Sequence, residues 1–356
     1  MKRIKTLFLS LLNLRTFLRM EFNRKQAPKV GHKVNYLKSG FLSISSVFYD
    51  FSNNDMQDYL SDWTRLRKAS KINDRKRIII DDKLLFHHKN EDNKHVKPIV
   101  AITKGRKLFK IENSKFIELN GEESFGQYVS RFANGLIVKP YTGGGGARIS
   151  KVEFVQNKLH FEGSCTSYSD FVRTVINNDN ANFLMTEIIK QTGPLAEIYS
   201  NTLNTIRILT MFDHHTNKPF IARAVQRIGT KKSVVVDNFT AGGISALIDI
   251  ESGIMAKGAH YPNGDKLIWY SSHPDTGVGF EGLKIDNWEE IKSYVLNLSQ
   301  QYFYIPYIGW DIVPMEDDFM ILEANSNSDV NLLQIHGGLL KDERVREFYK
   351  YHQVIN

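Results

Sequence analysis

Near its end the sequence runs Gly309-Trp310-Asp311-Ile312-Val313, then Met315-Glu316-Asp317-Asp318, then Phe319-Met320-Ile321-Leu322-Glu323-Ala324-Asn325. Two apolar runs that flank a short polar stretch predict a β-hairpin. Asp311 lies six residues before Asp317, and Glu323 lies six residues after it. In a symmetric hairpin the carboxylates of Asp311 and Glu323 would therefore face each other across the ladder.

The hairpin would bring three oxygen-bearing side chains together. Residues two apart on a strand share a face, so Glu323 and Asn325 point the same way. Directly opposed Cβ atoms lie roughly 5 Å apart, which lets Asp311 reach the same ion. A single acid in an apolar strand would predict an ordinary salt bridge, but grouped acids need a cation. Carboxylate and amide oxygens suit Mg²⁺ better than zinc, so we expect a magnesium site with a polyanionic ligand beside it.

Composition excludes some classes of protein but does not identify the function. A chain of 356 residues, 42% hydrophobic and 24% charged, is typical of a globular protein with two or three lobes. The single cysteine, Cys165, excludes an internal disulfide framework and favours a reducing compartment, which predicts a cytoplasmic protein. A net charge of +8 favours anionic partners, among them nucleotides, nucleic acid, acidic glycans and anionic membranes. The sequence has no run of 18 apolar residues, so it predicts no transmembrane helix.

Residues 1–24 mix leucine and phenylalanine with lysine and arginine. Asn13 and Arg15 interrupt the apolar stretch and no small-residue cleavage site follows, which argues against a signal peptide. The pattern predicts a basic amphipathic helix. Two alternatives stay open: the helix lies on the inner face of an anionic membrane, or it packs on its own domain.

Further along the chain, several segments have clear local patterns. Apolar residues at helical spacing after Asn53-Asn54-Asp55 predict a helix over 56–66. Residues 78–80 predict a short strand, and Asp81-Asp82-Lys83 predicts the start of the next helix. Short alternating segments at 99–102, 108–111 and 116–119 predict a small antiparallel sheet, and 288–304 predicts a helix. His87-His88 and His214-His215 lie in polar contexts and are predicted to be surface residues.

Two kinds of segment carry candidate anion-binding groups. The predicted strand 136–140 contains Lys139 and leads into four consecutive glycines: Gly143, Gly144, Gly145 and Gly146. Such a loop exposes backbone N–H groups and can close over phosphates, although a flexible hairpin tip explains it about as well. It is not a Walker A loop, because Gly-Lys-Ser/Thr is absent. The predicted strands 204–210 and 220–225 each hold an arginine in mid-strand, Arg207 and Arg223, and a buried guanidinium needs an anion.

The order of these motifs resembles the ATP-grasp superfamily from about Ile78 to the C-terminus. The series is an Asp-Lys pair, a strand lysine before a glycine-rich loop, a strand that carries an acid, arginine strands, Asn238 before Gly242-Gly243, and the hairpin. The chain is most similar to the sugar-transfer-associated ATP-grasp group, found with cell-surface polysaccharide genes. Asn204-Thr205-Ile206-Arg207 and the segment 322–333 carry that finer match.

The resemblance implies an α+β protein in which two α+β lobes clamp ATP, with a short helical N-terminal region. We expect three parts: a helical region at 1–77, a small lobe with the glycine-rich loop at 78–186, and a C-terminal lobe with the magnesium site at 187–356. The implied cofactors are ATP and Mg²⁺, with Mn²⁺ as a substitute.

The resemblance also implies roles for individual residues. The phosphates would contact Lys83 and Lys139, with the loop of Gly143, Gly144, Gly145 and Gly146 above them. Adenine would lie against Glu187, Ile188 and Ile189, and ribose would contact Glu187 or, as a second choice, Glu197. Magnesium would be held by Asp311, Glu323 and Asn325. The reacting groups would be lined by Arg207, Arg223 and Asn238.

The activity implied is an ATP- and Mg²⁺-dependent carboxylate–amine ligase that works through an acyl phosphate. It would join an amino acid or amine to a uronic acid in the biosynthesis of a cell-surface polysaccharide such as a capsule. One alternative is an ATP-grasp phosphotransferase, and another is a membrane-associated accessory protein without turnover. Nucleic-acid binding is disfavoured, because the basic residues are scattered along the chain.

Overall fold

The computed structural model describes residues 2–22, 33–105, 107–113, 115–143, 148–175, 182–234, 236–261, 266–328 and 330–356, with side chains from residue 11 onward. Its contacts divide the chain into two compact units. The first unit comprises Met1–Arg77, Gln191–Phe319 and Ala324–Asn356. The second unit comprises Ile78–Lys190 and Met320–Glu323.

Helices occur in both units. The α-helices are α1 (Lys2–Phe22), α2 (Val34–Lys38), α3 (Ser45–Tyr49), α4 (Asp62–Arg67), α5 (Ile78–Asp81), α6 (Lys83–Lys89), α7 (Gly121–Val129), α8 (Tyr168–Val175), α9 (Pro194–Ile198), α10 (Trp288–Gln301), α11 (Val330–Gln334) and α12 (Glu343–Tyr351). Single 3₁₀ turns occupy Met56–Asp58, Ala69–Lys71, Asp74–Arg77, Phe239–Ala241 and Leu339–Lys341. None of the helices in these described residues is long and apolar enough to span a membrane.

The strands form one large sheet in each unit. They are β1 (Ile99–Lys104), β2 (Lys107–Glu112), β3 (Lys115–Glu118), β4 (Leu136–Pro140), β5 (Ser150–Val155), β6 (Lys158–Phe161), β7 (Ser164–Cys165), β8 (Phe183–Glu187), β9 (Ile206–Asp213), β10 (Lys218–Ile228), β11 (Ile244–Ile248), β12 (Met255–His260), β13 (Ile268–Tyr270), β14 (Tyr307–Pro314) and β15 (Phe319–Asn325).

The second unit is built on a sheet of order β3-β2-β1-β8-β4-β5-β6-β7. Phe125 of α7 stacks on Phe171 of α8 within the core that also contains Leu136 and Val138 of β4. The antiparallel pairing of β1, β2 and β3 confirms the predicted small sheet. β4 confirms the strand predicted to carry Lys139.

One prediction in the second unit is wrong. Residues 78–80 form the start of α5 and not a strand. A continuous apolar strand is expected to be covered on both faces. Here Ile78 is exposed and only Ile80 is buried. Tertiary context has overridden the β-propensity of the three isoleucines.

The first unit is built on a sheet of order β13-β12-β11-β10-β9-β14-β15. The adjacent β14 and β15, with the Met315 N–H donating to the Asp318 carbonyl, confirm the hairpin. α10 confirms the helix predicted from Trp288, and its Ser299 meets Thr210 of β9.

The helix predicted over 56–66 is interrupted. Its first turn is the 3₁₀ turn capped by Asp55, and α4 begins anew after the cap Ser61. Between them the Gln334 side chain accepts from the Leu60 N–H at 2.7 Å and donates to the Leu60 carbonyl at 3.1 Å. A partner distant in sequence has therefore taken the backbone groups that a continuous helix would use.

The N-terminal helix α1 confirms the helix predicted within 1–24. Phe17 packs edge-on against Trp63, and the buried Glu21 accepts from the Ser43 N–H and hydroxyl at 3.0 and 2.7 Å. This side of α1 therefore packs on its own domain, which is one of the two alternatives that the sequence leaves open.

The buried Asp62 ties the N-terminal region together. Its carboxylate accepts from the Leu42 N–H at 3.0 Å, the Ser45 hydroxyl at 2.6 Å and the Asn331 amide at 3.2 Å. Because Asp62→Ala leaves buried donors unsatisfied, we expect it to lower the free energy of unfolding by about 2–3 kcal/mol. Urea denaturation measures this. Asp92→Ala, at an exposed position, is the control, and equal midpoints for the two variants would contradict the role of Asp62.

Candidate active site

Lys83 stands at the start of α6, where Asp82 caps the helix by accepting from the backbone of Leu84 and Leu85. Its side chain is buried and donates to the Gly143 carbonyl at 2.6 Å. The same Nζ lies 3.4 Å from Oε2 of Glu323. Lys83 thus connects the first glycine of the tetraglycine to one of the predicted metal ligands.

Lys139 lies on β4 and is also buried. Burial lowers its pKa to about 8; nearby Glu323 opposes that shift and Lys83 adds to it. Glu323 thus forms an ion pair with Lys83 and also acts electrostatically on Lys139, within a part of the second unit where water stabilises charge poorly.

His87 is not the surface residue that the sequence predicts, although its neighbour His88 is exposed. Burial lowers the pKa of His87 to about 3, and the charges of Lys139 and Lys83 push it further in the same direction. A contact with the backbone of Lys97 opposes the shift without outweighing burial. A neutral imidazole therefore lies in the field of the two lysines.

The predicted adenine segment ends the neighbouring strand. Glu187 is the last residue of β8, and Ile188 and Ile189 follow it, half-buried. Leu184 pairs with Lys139 and Glu187 pairs with Leu136, so Glu187 points to the face of the sheet opposite to Lys139. Burial raises the pKa of Tyr128 to about 12, and the charges of Glu112 and Glu187 add to that shift.

The structure describes only part of the predicted glycine loop, and it places the second candidate for the ribose contact in the first unit. Gly143 is described, whereas Gly144, Gly145 and Gly146 lie outside the described residues. Glu197, the second choice for the ribose, is exposed on α9 in the first unit. The assignments of the adenine and ribose contacts remain predictions.

In the first unit, Arg207 and Asp311 occupy opposite positions on the paired strands β9 and β14. The guanidinium binds the carboxylate through two bonds, Nε to Oδ1 and Nη2 to Oδ2, the latter at 2.9 Å. Both side chains are buried. Burial by itself would raise the pKa of Asp311, but Arg207 and Arg227 outweigh it and hold the pKa below its ordinary value.

Arg227 and Asp237 complete this cluster, and the sequence analysis missed both. Arg227 donates to Oδ2 of Asp311 at 2.8 Å and, through its other terminal nitrogen, to Oδ1 of Asp237. Oδ2 of Asp237 accepts from the Thr205 N–H at 2.9 Å and from the Thr205 hydroxyl. Two guanidinium groups and two carboxylates therefore form one chain of charge-assisted hydrogen bonds.

A signal for both residues was present in the sequence. Arg227 follows Arg223 by four positions, so strand alternation places the two on one face. Asp237 directly precedes Asn238, to which the resemblance gives a role because it stands before Gly242-Gly243. The Asn204-Thr205-Ile206-Arg207 motif, in turn, supplies Thr205 to Asp237 and Arg207 to Asp311.

The other two predicted catalytic residues have local partners. Arg223 donates to the carbonyls of Leu333 and Gly337 at 3.3 and 2.8 Å, and burial lowers its pKa. Asn238 caps the 3₁₀ turn Phe239–Ala241 by accepting from the Thr240 N–H. Their roles at a reacting centre remain predictions.

The predicted metal ligands are placed on β14 and β15. Asp311 lies on β14, and Glu323 and Asn325 lie two residues apart on β15. Within the described ranges, no group of three or more His, Cys, Asp and Glu side chains could hold a metal ion. The predicted set has only two such side chains, Asp311 and Glu323, beside the amide of Asn325. The magnesium site therefore remains a prediction.

Comparisons with solved structures give low similarity. N5-carboxyaminoimidazole ribonucleotide synthetase from Thermotoga maritima is 7% identical over 70% of this chain and 42% of its own, with a TM-score of 0.34. The biotin carboxylase domain of Hydrogenobacter thermophilus 2-oxoglutarate carboxylase, in complex with MgADP, ADP and bicarbonate, is 12% identical over 75% of this chain and 47% of its own, with a TM-score of 0.36. This chain thus spans less than half the length of either structure.

Sequence comparison identifies the family. No curated protein matches the chain. The family described as sugar-transfer associated ATP-grasp matches residues 65–348, which is most of the sequence and includes both lysines, the arginine–aspartate cluster and the hairpin. ATP-grasp proteins are ATP-dependent ligases with an α+β fold. The chain belongs to the sugar-transfer associated ATP-grasp family.

Proposed function

We propose that this protein is an ATP- and Mg²⁺-dependent carboxylate–amine ligase. The observation that carries the proposal is the buried pair Lys83 and Lys139, whose two positive charges are met by Glu323. Such an arrangement is unfavourable until an anion binds, and a triphosphate is the anion that an ATP-grasp protein takes. Membership of a family associated with sugar transfer supports a role in building a surface polysaccharide.

The second unit contains cationic and polar groups that are suited to the phosphates of a nucleoside triphosphate. Burial lowers the pKa of Lys139, and phosphate oxygens would stabilise its ammonium group and that of Lys83. The imidazole of His87, neutral because burial lowers its pKa, lies in the same field. Lys83 fixes the carbonyl of Gly143, where the glycine loop begins. We therefore assign Lys83 and Lys139 to the phosphates.

The donor chemistry also fits Mg²⁺, with Mn²⁺ as a substitute. Glu323 and Asn325 provide oxygen ligands from alternate positions of one strand. A carboxylate has roughly four lone-pair positions, and three of those on Asp311 accept from Arg207 and Arg227, so one is left for a metal. We propose Glu323 and Asn325 as the main ligands and Asp311 as a third. When bound, the ion would neutralise charge on the phosphate oxygens.

The proposed reaction has two steps. An oxygen of the substrate carboxylate attacks the γ-phosphorus of ATP, the bond to the β-phosphate oxygen breaks, and ADP leaves. An amine then attacks the acyl carbon, the C–O bond to phosphate breaks, and the amine loses a proton as the amide forms. Both steps move negative charge between oxygens, and fixed cations lower such barriers. Arg207 and Arg227, held rigid by Asp311 and Asp237, are suited to this because a fixed guanidinium does not reorganise during the reaction.

The association of the family with sugar transfer supports a uronic acid and an amine as the proposed substrates. A uronic acid offers a carboxylate on a sugar, and an amino acid or simple amine offers the nucleophile. The enzyme would act in the cytoplasm, where ATP is available; an exposed free thiol at Cys165 agrees with a reducing compartment.

We expect ADP release to require both a uronic acid and an amine, and the amide product to appear in equal amount. A coupled ADP assay with mass spectrometry of the sugar measures this. Glu323→Gln preserves shape but removes a metal ligand, so its turnover should fall by about a thousandfold or more. Phosphorylated acceptor without any need for amine would show a phosphotransferase instead, and full activity in Glu323→Gln would exclude the proposed metal site.

The affinity for ATP should fall as pH rises from 7 to 9. Lys139 has a lowered pKa of about 8, so it is protonated below that pH and loses its charge above it. We expect the dissociation constant to rise by up to about tenfold across this range. Calorimetry at pH 8 should also show proton uptake on binding. Lys139→Met should bind weakly at every pH without proton uptake, and a wild-type affinity that does not vary with pH would contradict the role of Lys139.

Asp311→Asn and Asp237→Asn form a matched pair, because each removes one carboxylate partner of Arg227. Both should destabilise the protein by about 2–4 kcal/mol, since each leaves the half-buried Arg227 with a single carboxylate, and Asp311→Asn also removes the carboxylate that binds the buried Arg207. Only Asp311→Asn should raise the Mg²⁺ concentration needed for half-maximal ADP release. Denaturation and magnesium titration separate the two effects. An identical magnesium requirement in both variants would make Asp311 a structural residue alone.

A further inference from the structure

One side of the helix α1 packs on the first unit. Phe17 and Glu21, four residues apart, are both buried, and they contact Trp63 and Ser43. Asn13, four residues before Phe17, is half-buried on the same line. These contacts fix which side of α1 faces the first unit, and the other side chains over residues 11–22 are exposed.

An apolar stripe runs along the solvent side of α1. Leu11, Leu14 and Leu18 are 57%, 44% and 41% exposed. At 100° per residue, Leu14, Leu18 and Leu11 lie about 60°, 100° and 120° from Phe17, so they form one line beside the docked face. Exposed leucines in such a line are unusual on a protein surface that meets only water.

A basic stripe lies directly beside the leucines. Arg15 and Arg19, four residues apart and both exposed, lie about 160° and 200° around the helix from Phe17. The one acid of α1, Glu21, is buried against Ser43 and so does not offset the surface charge.

We propose that α1 lies flat on an anionic lipid surface. The stripe of Leu11, Leu14 and Leu18 would enter the boundary between headgroups and acyl chains, while Arg15 and Arg19 would meet the anionic headgroups. Charge decides the occupant: a second copy of the chain would bring two arginine stripes together, whereas an anionic bilayer complements them. Docking through Phe17 and Glu21 holds the helix in place before binding, which reduces the ordering that membrane contact would otherwise require.

Sedimentation of the full chain with vesicles tests this. Vesicles of phosphatidylcholine with phosphatidylglycerol should carry the protein down, and vesicles of phosphatidylcholine alone should not. Leu14→Gln with Leu18→Gln, and separately Arg15→Gln with Arg19→Gln, should each weaken binding by about tenfold or more. Raising the salt from about 0.1 to 1 M shortens the Debye length from about 10 to 3 Å and should release wild-type protein.

Ile117→Gln with Val155→Gln, two exposed apolar positions on β3 and β5, is the matched control and should bind like wild type. Equal thermal unfolding of all the variants would show that the changes act on the surface and not on the fold. Equal binding to neutral and anionic vesicles, or no loss in either α1 variant, would overturn the proposal. A dimer of wild-type chain that becomes monomeric in Leu14→Gln with Leu18→Gln would overturn it in favour of a second copy.

Discussion

The buried ion pair between Arg207 and Asp311 constrains the register of the first unit. The two residues sit opposite each other on β9 and β14, and neither charge could be buried alone without a cost of several kcal/mol. A slip of one residue would turn one partner to the opposite face, where Trp310 and Thr210 pack toward Ser299 of α10. The pair therefore selects a single alignment of the strands. Arg227 and Asp237 extend the network to the loop after β10.

The two units handle charge in opposite ways. In the first unit, the cluster of Arg207, Arg227, Asp237 and Asp311 is balanced, two charges against two, so it is complete without a ligand. In the second unit, Lys83 and Lys139 carry two positive charges against the one negative charge of Glu323, and burial lowers the pKa of Lys139. A balanced cluster suits rigid positioning, whereas an unbalanced one suits capture of an anion. This contrast is why we assign phosphate binding to the lysines and orientation of the reacting groups to the arginines.

Local pattern predicted the elements whose partners are close in sequence. Alternating and continuous apolar runs located β1 to β4 and the β14–β15 hairpin, because turn residues and period-two alternation are local properties. Three of the failures involve distant partners. Gln334 interrupts the helix expected through Leu60, burial and the charge of Lys139 keep His87 neutral, and the pairing of Arg227 with Asp311 joins residues 84 positions apart. The sequence predicts that Arg207 and Arg223 need an anion, but only the fold shows that Asp311 supplies it for Arg207 and that Arg223 instead donates to backbone carbonyls.

The N-terminal helix shows why its pattern left two alternatives open. An amphipathic pattern gives the direction in which apolar residues concentrate, and it does not separate an apolar side that packs on protein from one that meets lipid. In α1 a packed apolar side and an exposed apolar side are adjacent: Phe17 is buried against Trp63, and the line of Leu11, Leu14 and Leu18 lies beside it. Glu21 decides the orientation, because a buried carboxylate must keep its bonds to Ser43. Packing on the domain and contact with a membrane are therefore compatible, since each uses a different side of one helix.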